Sequence, residues 1–400
     1  MASTRPAVAS ADPRDFSVVL GGPLFQLFRK AHLAGYGLEL LPYRIVAIVA
    51  FTWLPLLALT ALEGLALGTK VGVPFLYDIE AQGRFLLFVP LLVYAEILVH
   101  QRLRFVPSQF LGRRLIPEQE RPRFDAALAS ASRLRNSVIA EVAMIVLVYV
   151  LGLQFMWRQH AVLDVATWYA TPDAQGRTLS LAGVWYVYVA LPVTQFLLLR
   201  WYFRLFIWGR FLWQVSRIKL RLVPTHPDHV GGLGFLAATT AAFAPLAVAH
   251  GAFVSAWIAS RIFLHHAALP DFKILIISIA VWVLLIFLGP FLVFSLQLAD
   301  ARRQGEREYG PLAGHYSLAF DAKWVHPDTP ATEPLLGSPD IQSLADMSNT
   351  YTVVKNMRSV PITRQAVIQL ALSTLAPIAP LMLTMMPLGE AAKLLFGILT

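Results

Sequence analysis

Two carboxylates, Glu96 and Glu141, lie inside stretches of this 400-residue chain that are otherwise apolar. An ionised carboxylate in hydrocarbon is costly, so it is kept either by a partner or by a pathway. Counted along a helix, Glu96 lies about 7 Å inside Gln101 and Glu141 about 9 Å inside Arg135, which gives both one depth near a leaflet boundary. As a pathway they would pass a cation or relay protons, two close unpaired carboxylates raising each other's pKa. As partners they would pair with Arg200, Arg204 or His100, the last being four residues from Glu96 on the same helix face.

His250 is the titratable group nearest mid-depth in the run TTAAFAPLAVAHGAFVSAWIAS. With Thr239, Thr240 and Ser255 it makes that run the most polar wall available for an ion path. Ala247, Gly251, Ser255 and Ala259 recur every fourth residue, a stripe that admits a second backbone closely. Small stripes more often serve helix contact than a pore. His226, Asp228 and His229 are ligand types for zinc or manganese if His326 and Asp328 join them. Taken alone, each His-Pro-Asp triplet is a turn in which proline fixes φ and Asp caps the next segment. Arg210, Arg217 and Arg221 fall on one stripe of a helical run predicted over Leu181–Leu222, with Arg200 and Arg204 on a neighbouring stripe, so the run predicts a basic face for anions or regulation.

Several chemistries are excluded by composition. Zero cysteines removes disulfides, thiolate metal sites and cysteine nucleophiles. GGLGF lacks the lysine and Ser/Thr of a P-loop, and no G-x-S-x-G or H-E-x-x-H occurs. No cofactor is expected beyond a divalent metal at the histidines, and an enzyme is not the favoured class. The net charge of +9 sits beside apolar spans, where topology and anionic headgroups account for it, so nucleic acid is not an expected partner.

The elements that must position these residues are membrane helices. At 57% hydrophobic and 14% charged, the chain is far from the roughly 25% charged of soluble domains. A window of about 19 residues predicts spans at Leu41–Leu67, Arg84–Leu103, Val138–Trp157, Leu181–Arg204, Leu233–Phe263 and Lys273–Leu298. A seventh candidate, Ala366–Pro387, carries Pro377 and Pro380 and reads as a span, a re-entrant hairpin or a broken helix. Prolines 55, 90, 192, 245 and 290 also fall inside spans, as in transporters with broken helices and in membrane helices generally.

Segments sharing one side of the alternation hold 26 Lys and Arg and those on the other hold 6, which predicts a cytoplasmic N-terminus. Residues 1–40 show no signal-peptide pattern, and Phe16–Leu41 suits a surface helix or a solvated tail. Residues 41–299 form the expected six-span bundle, its fourth helix extended into the cytoplasm. Residues 300–365 form a cytoplasmic loop region, turn-rich at HPDTPATEPLLGSPD and an amphipathic helix at IQSLADMSNTYTVVKNMRSV, too poor in apolar residues to fold alone and so expected to dock on its neighbours, and 366–400 a proline-containing membrane segment.

The blocks HPDHVGGLGF and EPLLGSPDIQSLADMSNTYTVVKNMRSVPITRQ resemble those of a group of uncharacterised bacterial inner-membrane proteins. The resemblance covers most of the chain, implies a multi-pass inner-membrane location, and carries no activity with it. It adds interest to a pairing of the two blocks. The expectation is therefore an all-α polytopic bundle of six or seven spans with a helical cytoplasmic cap, conducting an ion or small solute, as a homo-oligomer. The rival is a non-conducting scaffold or sensor recruiting a cytoplasmic partner. A third reading is an interfacial enzyme using His226, Asp228 and His326 on a lipid-linked substrate.

Overall fold

The computed structural model describes residues 16–23, 26, 40–160, 166–173, 176–327 and 334–385. Among the described residues the fold is all-helical, at 77% helix with no closed sheet. Helix α1 (Leu41–Glu63) starts at a proline and ends at Gly64, whose φ of 69° suits the left-handed stop. Helix α2 (Ile79–Gly112) opens on Asp78, whose carboxylate accepts the Ala81 N–H at 3.0 Å, and takes a π-helical turn at Gly83–Phe88. Helices α3 (Arg121–Arg135) and α4 (Val138–His160) follow. Strands β1 (Ala170–Asp173) and β2 (Gly176–Leu179) pair antiparallel with Ala170 opposite Leu179. Ser180 then caps α5 (Leu181–Val215) by accepting the Gly183 N–H at 2.9 Å. Helices α6 (Gly234–His265) and α7 (Leu269–Val325), α8 (Pro339–Lys355) and α9 (Arg364–Leu375) complete the order, with a 3-10 helix at Ala379–Met385.

Among the described residues, α1, α2, α5, α6 and α7 are long and apolar enough to cross a membrane. A sixth is added if α9 and Ala379–Met385, bent by 53° at their break, count as one. Helix α4 has 23 residues, and its described apolar part is Val138–Val150. The apolar window of α6 is 67% buried and those of α1 and α7 are 22% buried, so α6 is central and the other two are rims. Their exposed residues, including Leu54, Leu62, Ile274, Ile277 and Leu285, form a surface suited to lipid.

The small stripe on α6 is a packing seam. A Cβ on Gly251 would run into the Thr374 carbonyl of α9, and Gly83 of α2 meets Ala256 with no room for a side chain. Ser255 donates to the Pro377 carbonyl at 2.7 Å, holding the bend after α9 against the same face. The stripe therefore seats α9 and the bend after it, as a run of small residues allows, while Ala256 on an adjacent face takes α2.

Three expectations are corrected. Helix α5 ends at Val215, short of Leu222, and does not stand free in water. Helix α3 packs along its last turns, where Trp208, Phe211, Leu212 and Val215 are buried with Phe124. Aromatic residues made that segment look like an interfacial rod, but its amphipathic neighbour supplies the cover. The rod that leaves the apolar zone is instead α7, whose 57 residues span about 85 Å at ~1.5 Å each.

The expected surface helix after Phe16 is also absent from Phe16–Leu20, which forms bends. Phe16 packs against Phe211 at a tilt with centroids 5.1 Å apart, Val18 and Val19 are buried, and Arg135 donates to the Ser17 carbonyl at 2.7 Å. The remainder of that expected helix, residues 24–25 and 27–39, lies outside the described residues. Region 300–365 is the continuation of α7 with α8 folded back on it, a helical hairpin joined through Gly305, where Pro224 and Val354 leave no space for a Cβ.

Candidate functional site

The two carboxylates carried on apolar helices are paired. Glu96 on α2 bonds Arg44 at the start of α1 and receives Arg204 of α5 at 2.8 Å, with Arg200 at 3.8 Å. Glu141, in the first turn of α4, lies 3.7 Å from Arg200. All five side chains are buried, so three guanidiniums and two carboxylates tie four helices together at one level. The periodicity of each helix explains the meeting. Arg200 and Arg204 are one turn apart on one face of α5, and they point at α2 and α4. They are therefore not part of an exposed basic face.

His100, the other expected partner of Glu96, has its Nδ1 2.9 Å from Ser17 Oγ instead. Arg44 was the partner that the sequence did not supply. It stands three residues into the first apolar run, where it reads as a flanking charge, although a guanidinium inside that run is itself a signal. A second buried pair was missed likewise: Arg84 of α2 binds Glu80 and the Tyr186 hydroxyl.

The polar residues expected to line a path through α6 are spent on local bonds. Thr239 and Thr240 donate to the carbonyls of Leu236 at 2.6 Å and Ala237 at 2.7 Å. His250 has Nδ1 2.6 Å from the Leu246 carbonyl and Nε2 2.9 Å from the Tyr202 hydroxyl. Ser255 is held by the Pro377 carbonyl.

The remaining expected arginines are separated by the end of α5. Arg210 donates to Ser130 Oγ of α3 at 2.6 Å. Arg217 lies past the helix, its guanidinium 5.2 Å from the Trp213 ring centroid. Arg221 is in the extended segment beyond, its N–H donating to the Leu115 carbonyl at 2.8 Å. The single helical stripe of Arg210, Arg217 and Arg221 does not form because Ser216 ends the ladder.

The His-Pro-Asp block is a built turn. Asp228 accepts the backbone N–H groups of Val230 at 2.9 Å, Gly232 at 3.1 Å and Gly234 at 2.8 Å, and His226 Nδ1 lies 2.9 Å away. Burial pushes the Asp228 carboxyl up, but these backbone donors with His226 outweigh it and hold the carboxyl below its usual range. Gly231 and Gly232 have φ of 64° and 100°, and a Cβ there would press on Leu222 and Leu115 respectively. Those two glycines are thus conformational requirements.

The second block closes onto this turn. The Arg358 backbone N–H donates to the His229 carbonyl at 2.7 Å, and its guanidinium to the carbonyls of Asp228 at 3.1 Å and Ile362 at 3.0 Å. The two blocks meet, but their His-Pro-Asp triplets do not. His326 lies 21 residues beyond Gly305, about 30 Å along α7, with its Nδ1 3.2 Å from Asp321. Asp328 lies outside the described residues. Among the described residues no group of three or more His, Asp or Glu could hold a metal ion.

Compared with family models, curated proteins and solved structures, the chain matches none.

Proposed function

We propose that this protein is a multi-pass membrane scaffold that presents the α7–α8 hairpin to a cytoplasmic protein, and that it does not conduct. The observation that carries the reading is the hairpin's end, where Leu318, Val325, Leu335, Leu336 and Ile341 are all exposed. From Asp300 to Val325 the helix rises about 38 Å, so this apolar end stands well clear of lipid, where exposed leucines mark an interaction surface. Support also comes from the membrane part. Glu96 and Glu141 are locked by arginines, and Thr239, Thr240, His250 and Ser255 on α6 are bonded to carbonyls or to Tyr202.

The finer topology belongs to the same proposal. Helix α4 joins the five apolar helices as a sixth span, and the bent pair after Thr363 makes a seventh if it crosses. The excess of Lys and Arg on alternate segments sets residues 16–23 and the hairpin on the cytoplasmic side of a bacterial inner membrane.

A second reading, conduction, draws on the breaks in the helices facing α6. These are the π-helical turn Gly83–Phe88 of α2 and the 53° bend after α9, to which α6 adds its own 3-10 stretch at Thr240–Phe243, because such irregular turns often accompany moving parts. The two readings separate in proteoliposomes. The scaffold reading expects ion and small-solute flux equal to that of protein-free vesicles. Flux that depends on the protein and is lost in Glu96→Gln would overturn it in favour of a conducting protein.

A further inference from the structure

We infer that the groove between α5 and α7 is a binding site for one anionic phospholipid of the leaflet nearest the hairpin. The groove is open to one side, offers about 610 Å³ and is lined by Tyr202, Leu205, Gly209, Arg210, Trp213 and Pro290, with Phe206 and Ile286. Its depth comes from sequence. Gly209 carries no side chain, and a Cβ there would come within 3.6 Å of the Pro290 ring, while Gly289–Phe294 abandons the α-helical path for a 3-10 turn. The space that a side chain and a regular helix would fill is left open.

Length and charge choose the occupant. Tyr202 to Trp213 covers about 16 Å along α5, close to half of the ~30 Å hydrocarbon thickness. Tyr202 sits beside Trp282, in the middle of the apolar run of α7. At the other end Gln297 donates to the Ser216 and Ile218 carbonyls at 2.7 Å each, just before α7 turns polar at Asp300. The groove therefore runs from mid-bilayer to one boundary, the span of a single acyl chain. Its outer flank carries the exposed residues Phe206, Trp282, Leu285 and Leu292, continuous with the lipid-facing surface.

The mouth is basic. Arg210 lines it, and its hydrogen bond to Ser130 uses one of five N–H donors. Arg217 follows one turn past Trp213 and is exposed. Two guanidiniums beside an interfacial tryptophan suit a phosphodiester headgroup, with aromatic and basic residues at the depth where each is favoured. A zwitterionic lipid would fill the same groove with a weaker grip.

The test is lipid retention by native mass spectrometry. The full-length protein is extracted from membranes supplied with equal phosphatidylglycerol and phosphatidylcholine of identical chains. One retained lipid per chain, predominantly phosphatidylglycerol, is expected. Arg217→Ala, which loses only the stack on Trp213, combined with Arg210→Ala should lower that occupancy about 10-fold or more. Ile286→Trp, which fills the groove, should remove it while leaving both arginines in place. Equal retention of the two lipids, or phosphatidylglycerol unchanged in the double variant and in Ile286→Trp, overturns the site. None of these outcomes depends on the hairpin or on conduction.

Discussion

Glu96→Gln removes the carboxylate that Arg44, Arg200 and Arg204 share. In the wild-type cluster three guanidiniums face two carboxylates. After substitution, three face Glu141 alone, and the residual charge rises by one in a place where Arg44 is 2% and Arg204 5% exposed. Removing one partner of a buried ion pair costs about 3–5 kcal/mol, because the other charges stay desolvated. The amide accepts one guanidinium bond and regains about 1 kcal/mol. The net loss is then about 2–4 kcal/mol, which lowers the thermal midpoint by about 2–5 °C if a chain of this length melts as one unit, at about 2.1 cal/mol/K of unfolding entropy per residue. The assay is thermal unfolding in detergent, run as a cycle with Arg44→Gln. That single change leaves two guanidiniums with two carboxylates, while the double variant leaves two guanidiniums with one. Because Arg44 and Glu96 touch, the double variant should be less destabilised than the sum by about 1 kcal/mol or more. A midpoint unchanged by Glu96→Gln, or strict additivity in the cycle, would refute the network as a structural tie.

Asp228→Asn should lower the thermal midpoint at neutral pH, and the gap should close on acidification. The wild-type carboxyl is held below its usual value, so its contribution is present above the unfolded pKa of about 3.9 and is lost as pH falls through the folded one. Melting at several pH values between 3 and 7 checks the sign, and a gap that widens on acidification contradicts it. Gly251→Leu should unseat α9, since its side chain meets the Thr374 carbonyl. Loss of a disulfide engineered between α6 and α9 reports it, at a cost of about 1–3 kcal/mol or more in stability. Arg358→Ala should free the turn carbonyls and speed proteolysis at residues 224–232, with about 1.5–3 kcal/mol lost for each charged bond removed.

The membrane character of the chain and the approximate places of its apolar helices were legible because hydropathy over about 19 residues depends on composition alone. The path from helix to partner was less so. Glu96 and Glu141 announced themselves as costly, and Arg200 and Arg204 as their partners. Arg44 was hidden by its position at the head of the first span, where a cation reads as a topology signal. The end of α5 was misjudged because the residues after Val215 keep an aromatic and basic pattern but donate their hydrogen bonds elsewhere. Arg221, for example, bonds Leu115 in a loop 106 residues upstream. Polar composition led region 300–365 to be read as a loop, yet α7 simply continues into it. Its helical stability there comes from α8, whose helix was readable in the amphipathic pattern of IQSLADMSNTYTVVKNMRSV but whose return onto α7 was not. The Asp228 turn was readable as a turn. That Arg358 would complete it, 130 residues later, was only hinted at by the co-occurrence of two blocks.

The scaffold reading is tested most directly by a photoreactive residue placed at Leu336 in living cells, with one at Leu296 on the lipid-facing part of α7 as its comparison. The account predicts that Leu336 crosslinks to a defined cytosolic protein, that Leu318→Asp abolishes the product, and that the Leu296 position yields no such product. Absence of any protein crosslink at Leu336, or a product unaffected by Leu318→Asp, would contradict it. A product composed only of a second copy of this chain would also contradict recruitment, and would make the hairpin an oligomerisation device instead.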